Sequence, residues 1–160
     1  MNIYLIGSLR NEKVPQIGNI LRKAFPSTAS NPRTQVFDDW FAAGPEADDY
    51  WRKYELSRGR TFIEALEGKA AENTFTFDKL HLDSADVGVL VLPCGKSGHL
   101  ELGYLRGRGR PAIVLLEEGE DNTRRWDLMY KLATHVVVGV EELIEVVNSI
   151  QARRVKGNLT

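Results

Sequence analysis

With one cysteine, Cys94, among 160 residues, the chain cannot form an internal disulfide, and a reducing compartment is expected. Neither sign of charge is in excess: 21 lysines and arginines face 22 aspartates and glutamates. That balance lacks the electrostatic footprint of a protein that wraps duplex DNA or lies on an acidic membrane, so neither polymeric nucleic acid nor a membrane is an expected partner. No apolar run approaches the roughly 20 residues that a membrane-spanning helix needs. The opening run Asn2 to Ile6 has neither the basic start nor the length of a signal peptide, and a cytoplasmic protein is expected. His81, His99 and His135 do not fall at metal-ligand spacing, so neither a metal nor an organic cofactor is expected. Internal repeats and low-complexity segments are missing as well.

What is there is enough sequence for one domain with a real core, without disulfide or metal staples. Residues 1–152 read as that domain and 153–160 as a basic, solvated tail. Short apolar runs recur at Ile3 to Ile6, Gln35 to Phe37, Val87 to Leu92, Ala112 to Leu116 and His135 to Val138. Between them lie helical patterns. Val14, Ile17, Leu21 and Phe25 keep helical spacing around Pro15, a residue welcome in a first turn, and Val140, Leu143, Ile144, Val147 and Ile150 do so near the end. Alternation of buried strands and helices predicts a three-layer α/β sandwich with a five-stranded, mostly parallel sheet, and analogy with flavodoxin-like folds gives the expected order 2-1-3-4-5. The charged, aromatic-rich stretch from Asp48 to Asp86 reads as one or two helices bridging the second and third strands.

In such sheets ligands bind beyond the carboxyl ends of the strands, which selects a few segments. After the first strand, Gly7 and Ser8 with Arg10 offer backbone N–H groups and a cation, a reasonable anion cradle. After the second come Asp38, Asp39 and Trp40. After the third, Gly95, Ser97 and Gly98 precede a helix that places Glu101 in its first turn or so, where the helix dipole favours an ionised carboxylate able to act as a nucleophile. Taken singly, each has a plainer explanation: turn geometry for Gly7, dipole complementation for Glu101, an exposed helical face for Asp78. Trp40, Phe41, Tyr50 and Trp51 suit either stacking on a base or core packing. Gly103 and Gly107 would let the Glu101 helix pack closely against its neighbours. Cys94 reads as a small buried residue after a strand.

Three spaced motifs in order change the balance. Tyr4-Leu5-Ile6-Gly7-Ser8-Leu9-Arg10, Asp78 eight residues before Asp86, and Gly98-x-x-Glu101-Leu102-Gly103-Tyr104, with Gly109-x-Pro111 after them, together resemble the nucleoside 2-deoxyribosyltransferase superfamily. That superfamily contains the transferases and the 2′-deoxynucleoside 5′-phosphate N-hydrolases, and the resemblance runs from Met1 to about Val147. It implies Glu101 as the nucleophile, Tyr4 as the residue that positions it, and Asp78 beside the base and sugar. Gly7, Ser8 and Arg10 would receive a 5′-phosphate, with Ser97 and Gly98 at the substrate. Asp127-Leu128-Met129 is similar to a segment that transferases lend to the adjacent subunit, which implies a homodimer or higher homo-oligomer with Asp127 and Met129 at the partner's substrate.

The chain departs from the transferases at Gly95, where they often carry an aspartate that contacts deoxyribose, and at Arg110, which replaces a lysine. The missing aspartate and the motif at Gly7 to Arg10 suit a nucleotide. Cleavage at C1′ passes through an oxocarbenium-like transition state and calls for a carboxylate on one face and an acid near the departing base, here Glu101 with Asp78, Asp38 or Asp39. The expected substrate is a small nucleoside or nucleotide. A non-catalytic nucleotide sensor and a glycohydrolase acting on NAD or a related nucleotide are the rival readings. The block from Asp38 to Trp51 belongs to neither signature and reads as a lid or base-recognition element.

Overall fold

The computed structural model describes residues 1–26, 34–119 and 127–157, with side chains to residue 154. Five strands, β1 (Asn2–Ile6), β2 (Gln35–Phe37), β3 (Val87–Val91), β4 (Ala112–Leu116) and β5 (His135–Val138), form one sheet. Its order is β2-β1-β3-β4-β5 and every pairing is parallel, as the hydrophobic pattern predicts. The helices are α1 (Lys13–Ala24), α2 (Ala47–Ser57), α3 (Phe62–Leu66), α4 (Lys69–Ser84), α5 (Lys96–Gly107) and α6 (Gly139–Gly157), with 3₁₀ turns at Asp39–Ala43 and Leu128–Leu132. None of the described helices is long and apolar enough to cross a membrane.

Successive residues of a strand face opposite sides of the sheet, and β1 shows what this does for the molecule. Ile3 and Leu5 join the layer under α1 and α6, packed with Val14, Leu21, Leu143 and Val147. Tyr4 and Ile6 join the other layer, with Leu82 of α4 and Leu102 and Leu105 of α5. Tyr4 therefore shares its side of the sheet with the two helices that carry Asp78 and Glu101.

The long bridge between β2 and β3 resolves into α2, α3 and α4, more pieces than the one or two helices expected. Asp48 and Asp49 in the first turn of α2 complement its dipole. Thr61 and Glu64 form a capping box that starts α3. Buried Glu55 holds the guanidinium of Arg60 at 2.9 Å, tying the end of α2 to the turn that follows it.

The basic tail needs correction. α6 continues through residue 157, and Arg154 forms an ion pair with Asp86, whose other oxygen accepts the Asn2 N–H at 2.8 Å. Only residues 158–160 of the expected tail lie outside the described residues. Asp86 joins the starts of β1 and β3 to the last helix.

Close backbone approach falls at glycines other than those expected. A methyl group at Gly103 or Gly107 would meet open space, so neither serves packing. At Gly98 it would overlap Sγ of Cys94 and lie 2.8 Å from Cγ2 of Ile6. Gly98→Ala is accordingly expected to destabilise the protein by about 1–3 kcal/mol through overpacking, read as a lower midpoint in urea unfolding, whereas Gly103→Ala should be neutral or stabilising.

Candidate active site

At the carboxyl end of the sheet, β1 and the loop after it, the Asp39–Ala43 turn, α2, α4 and α5 enclose a cleft of about 790 Å³. Tyr4, Asp78 and Glu101, from three separate elements, line it together, and so do Gly7, Ser8, Arg10, Asp39, Trp40, Ser97 and Gly98. One amide fixes the two loops at its rim. Buried Asn11 donates from Nδ2 to the carbonyls of Val91 and Pro93, each at 3.2 Å, and accepts the Lys13 N–H at Oδ1. The loop carrying Ser8 and Arg10 is thereby sewn to the loop that leads to Gly98, a role that the sequence does not advertise.

Glu101 stands in the second turn of α5, because the helix starts at Lys96 rather than after Gly98. Burial, with a smaller contribution from the charge of Asp78, pushes its carboxyl up to about 7. Desolvation thus outweighs the dipole one turn in from the helix end and leaves this carboxyl titrating near neutrality. Asp78 is also raised, first by burial, with His81 opposing. Its Oδ1 is buried and has no hydrogen-bond partner among the described residues, an arrangement that favours a protonated acid. The Tyr4 hydroxyl is held far above its ordinary range by burial and by the charges of Glu101 and Asp78, so it remains a donor throughout the physiological range. Two interacting carboxyls beside a neutral phenol titrate as a unit, and near neutrality such a pair can keep one proton while its other member is ionised.

The Cys94 thiol, raised to about 11 chiefly by burial, remains protonated and is half-buried against Gly98. Trp40 lines the cleft while its Nε1 donates to the Leu5 carbonyl at 2.9 Å, so it is a fixed wall. Gly7 is a glycine because a Cβ there would run into Val14. Ser8 accepts the Arg10 N–H at its hydroxyl, 3.2 Å away.

Three expected residues lie elsewhere. Asp38 is turned away: it is buried, in an ion pair with Arg22 of α1, and packed where a Cβ on Gly18 would stand. It does not line the cleft, and its part as a candidate acid falls away. Asp127 caps the Leu128–Leu132 turn, accepting the Met129 N–H at 2.9 Å, and Met129 is exposed; neither lines the cleft of its own chain. Conversely, Asp48, Asp49, Asn73, Thr74 and Phe77 line it without having been singled out as substrate contacts. Thr74 precedes Asp78 on α4 by one turn, with Asn73 beside it, a signal that helical spacing from Asp78 would have carried.

No protein-family model matches the sequence, and no curated protein matches it significantly. Solved structures do match. A 2-deoxyribosyltransferase from the psychrotolerant bacterium Bacillus psychrosaccharolyticus superposes with a TM-score of 0.55 at 15% identity, over 90% of this chain and 90% of that one. The chain has the deoxyribosyltransferase fold. A conserved protein from Enterococcus faecalis V583 shares this fold at a TM-score of 0.57 and 16% identity, over 96% and 98% of the two chains. The Clostridium botulinum CMP N-glycosidase BcmB matches at 0.50 and 10% identity, over 92% and 99%. At these identities the likeness concerns architecture: a sheet of five parallel strands with helices on both faces.

Proposed function

We propose that the protein cleaves the N-glycosidic bond of a 2′-deoxynucleoside or its 5′-monophosphate through a covalent glycosyl-Glu101 intermediate, and passes the sugar to another nucleobase or to water. The observation that carries this reading is the convergence of Tyr4, Asp78 and Glu101 on one cleft from β1, α4 and α5. The activities of the two enzymes that share the fold, deoxyribosyl transfer and CMP N-glycoside cleavage, support it.

In the first step an oxygen of ionised Glu101 attacks C1′ as the C1′–N bond breaks, and that electron pair leaves with the base. The reactive form is the one in which the proton that the pair shares sits on Asp78, which gives it to the departing nitrogen. The Tyr4 hydroxyl, permanently protonated, stabilises the carboxylate form of Glu101 and fixes where it points. In the second step water or an incoming base attacks C1′, loses a proton to Asp78 and releases Glu101.

Charge favours an unphosphorylated sugar. Five carboxylates, Asp39, Asp48, Asp49, Asp78 and Glu101, line the cleft, and Arg10 is the cation among its described lining residues. That guanidinium is already engaged by Asp49 at 3.0 Å and Glu46 at 3.9 Å. The anion cradle suggested by Gly7, Ser8 and Arg10 is therefore occupied by the protein's own carboxylates. A deoxynucleoside is expected to give a higher kcat/KM than its 5′-monophosphate, and Asp49→Asn, which frees Arg10, should narrow the gap by roughly tenfold, the worth of one charge-assisted hydrogen bond. Competition between the two substrates in one reaction, followed by chromatography, measures both values.

The exposed side chains of Leu100, Leu128, Met129 and Leu132 support a homo-oligomer in which the Asp127 to Met129 segment reaches a partner's cleft. The decisive test of the activity is a chromatographic assay of base release across deoxynucleosides, their monophosphates and NAD, with Glu101→Ala as control. Equal release by that variant overturns the proposal. So does stoichiometric nucleotide binding without release, which would mark a sensor.

A further inference from the structure

A second cavity, of about 1000 Å³, opens between α2 and α4 and meets the first at Tyr4, Asp78 and Glu101. The two differ in chemistry. Ser8, Arg10, Asp39 and Asp49 line only the first cavity, whereas Tyr50, Trp51, Tyr54, Leu66 and Phe75 line only the second. Small residues make the room. Ala43 and Ala47 on one side and Ala70 and Ala71 on the other stand where larger side chains would close the space. Its size is at the upper end of the roughly 300–1,000 Å³ of drug-sized ligand sites, more than one pyrimidine ring can fill. Tyr50 and Phe75 are 67% and 65% exposed in the isolated chain, and an apolar face of this kind calls for an occupant.

A glycoside with its anomeric carbon at Glu101 must send its sugar and its aglycone in different directions. Hydroxyl groups match the polar cleft, and a flat, weakly polar ring system matches the aromatic one. We propose that the α2–α4 groove is the aglycone subsite and that it takes an aromatic leaving group bulkier and less polar than an unsubstituted pyrimidine. This rests on the N-glycosidase reading and adds the class of substrate. The groove's continuity with the reacting carboxylate is what assigns it to the substrate rather than to another chain. Base departure here follows the balance already given: the C1′–N electron pair leaves with the ring, and the proton comes from Asp78.

The test compares the 2′-deoxyribosides of uracil, adenine and 6-phenylpurine. The kcat/KM ratio of the phenylpurine to the uracil compound is expected to exceed about 10, in line with the worth of filling a hydrophobic pocket. Ala71→Trp, which blocks the groove, and Leu66→Asp, at a half-exposed wall position, should each lower that ratio tenfold or more. Free 6-phenylpurine is also titrated calorimetrically into Glu101→Gln, and its binding should be lost when Ala71→Trp is added. Equal kcat/KM for the three compounds, with no binding of 6-phenylpurine, overturns the subsite and leaves the cleavage reading standing. Release of base from none of them, while 6-phenylpurine still binds, removes the cleavage reading and with it the aglycone role. A dimer that Ala71→Trp or Leu66→Asp dissociates without changing the ratio shows that the groove belongs to a second copy, and also overturns the proposal.

Discussion

Glu101→Gln is expected to lose base release by more than about 10⁴-fold and, at pH 8, to melt at a higher temperature than the native protein. The loss follows because an amide cannot form the glycosyl ester. The gain follows from burial. A carboxyl whose value rises from 4.5 in the open chain to about 7 in the fold binds its proton more tightly when folded. Its contribution to stability is complete below pH 4.5 and is lost as the pH climbs through 7. At pH 8 the native protein carries the whole penalty, on the order of 3 kcal/mol, which glutamine does not. Thermal melts of both proteins at pH 4 and pH 8 check this: the difference should be small at the lower pH and full at the upper. Equal melting at pH 8 would mean that Glu101 is well solvated and that no special acidity need be sought there.

Asp78→Asn is the second large effect. Turnover should fall by about 10²- to 10⁴-fold, the ordinary worth of positioned proton transfer, and the fall should shrink for a base that leaves well without a proton, such as a 7-methylpurine. The pH profile carries a separate sign. When ionised, Asp78 helps to hold the Glu101 proton on, so removing its charge lowers the pKa of the nucleophile, and the rising limb of kcat/KM moves to lower pH. Steady-state kinetics from pH 5 to 9 with two leaving groups distinguishes this from a folding defect, which would depress all substrates equally and leave the limb in place.

The strands were legible because both faces of the sheet are buried and their runs are nearly unbroken; β4 and β5 have the bounds that composition suggests. The convergence of Tyr4, Asp78 and Glu101 followed from motif order and from the rule that sites gather at the carboxyl edge. What failed depends on partners distant in sequence. Asp38 looked free beside Asp39, but Arg22, sixteen residues earlier on α1, claims it. Arg10 looked available to a phosphate, but Asp49 and Glu46, which start the next structural block, reach it first. The shift at Glu101 was hidden because position along a helix is visible in sequence and depth of burial is not. The α2–α4 groove was hidden for the same reason: nothing local distinguishes an alanine that faces empty space from one that faces a neighbour.

The clasp of Arg154, Asp86 and the Asn2 amide sits at the amino edge of the sheet, the width of the molecule away from the chemistry. One anchor of the fold is thereby placed at the pole opposite the chemistry. Trimming the last helix short of Arg154 would slacken the foundation while leaving the catalytic rim furnished, so an engineer seeking a hardier protein has the whole lower pole to work on without touching the groups that handle substrate.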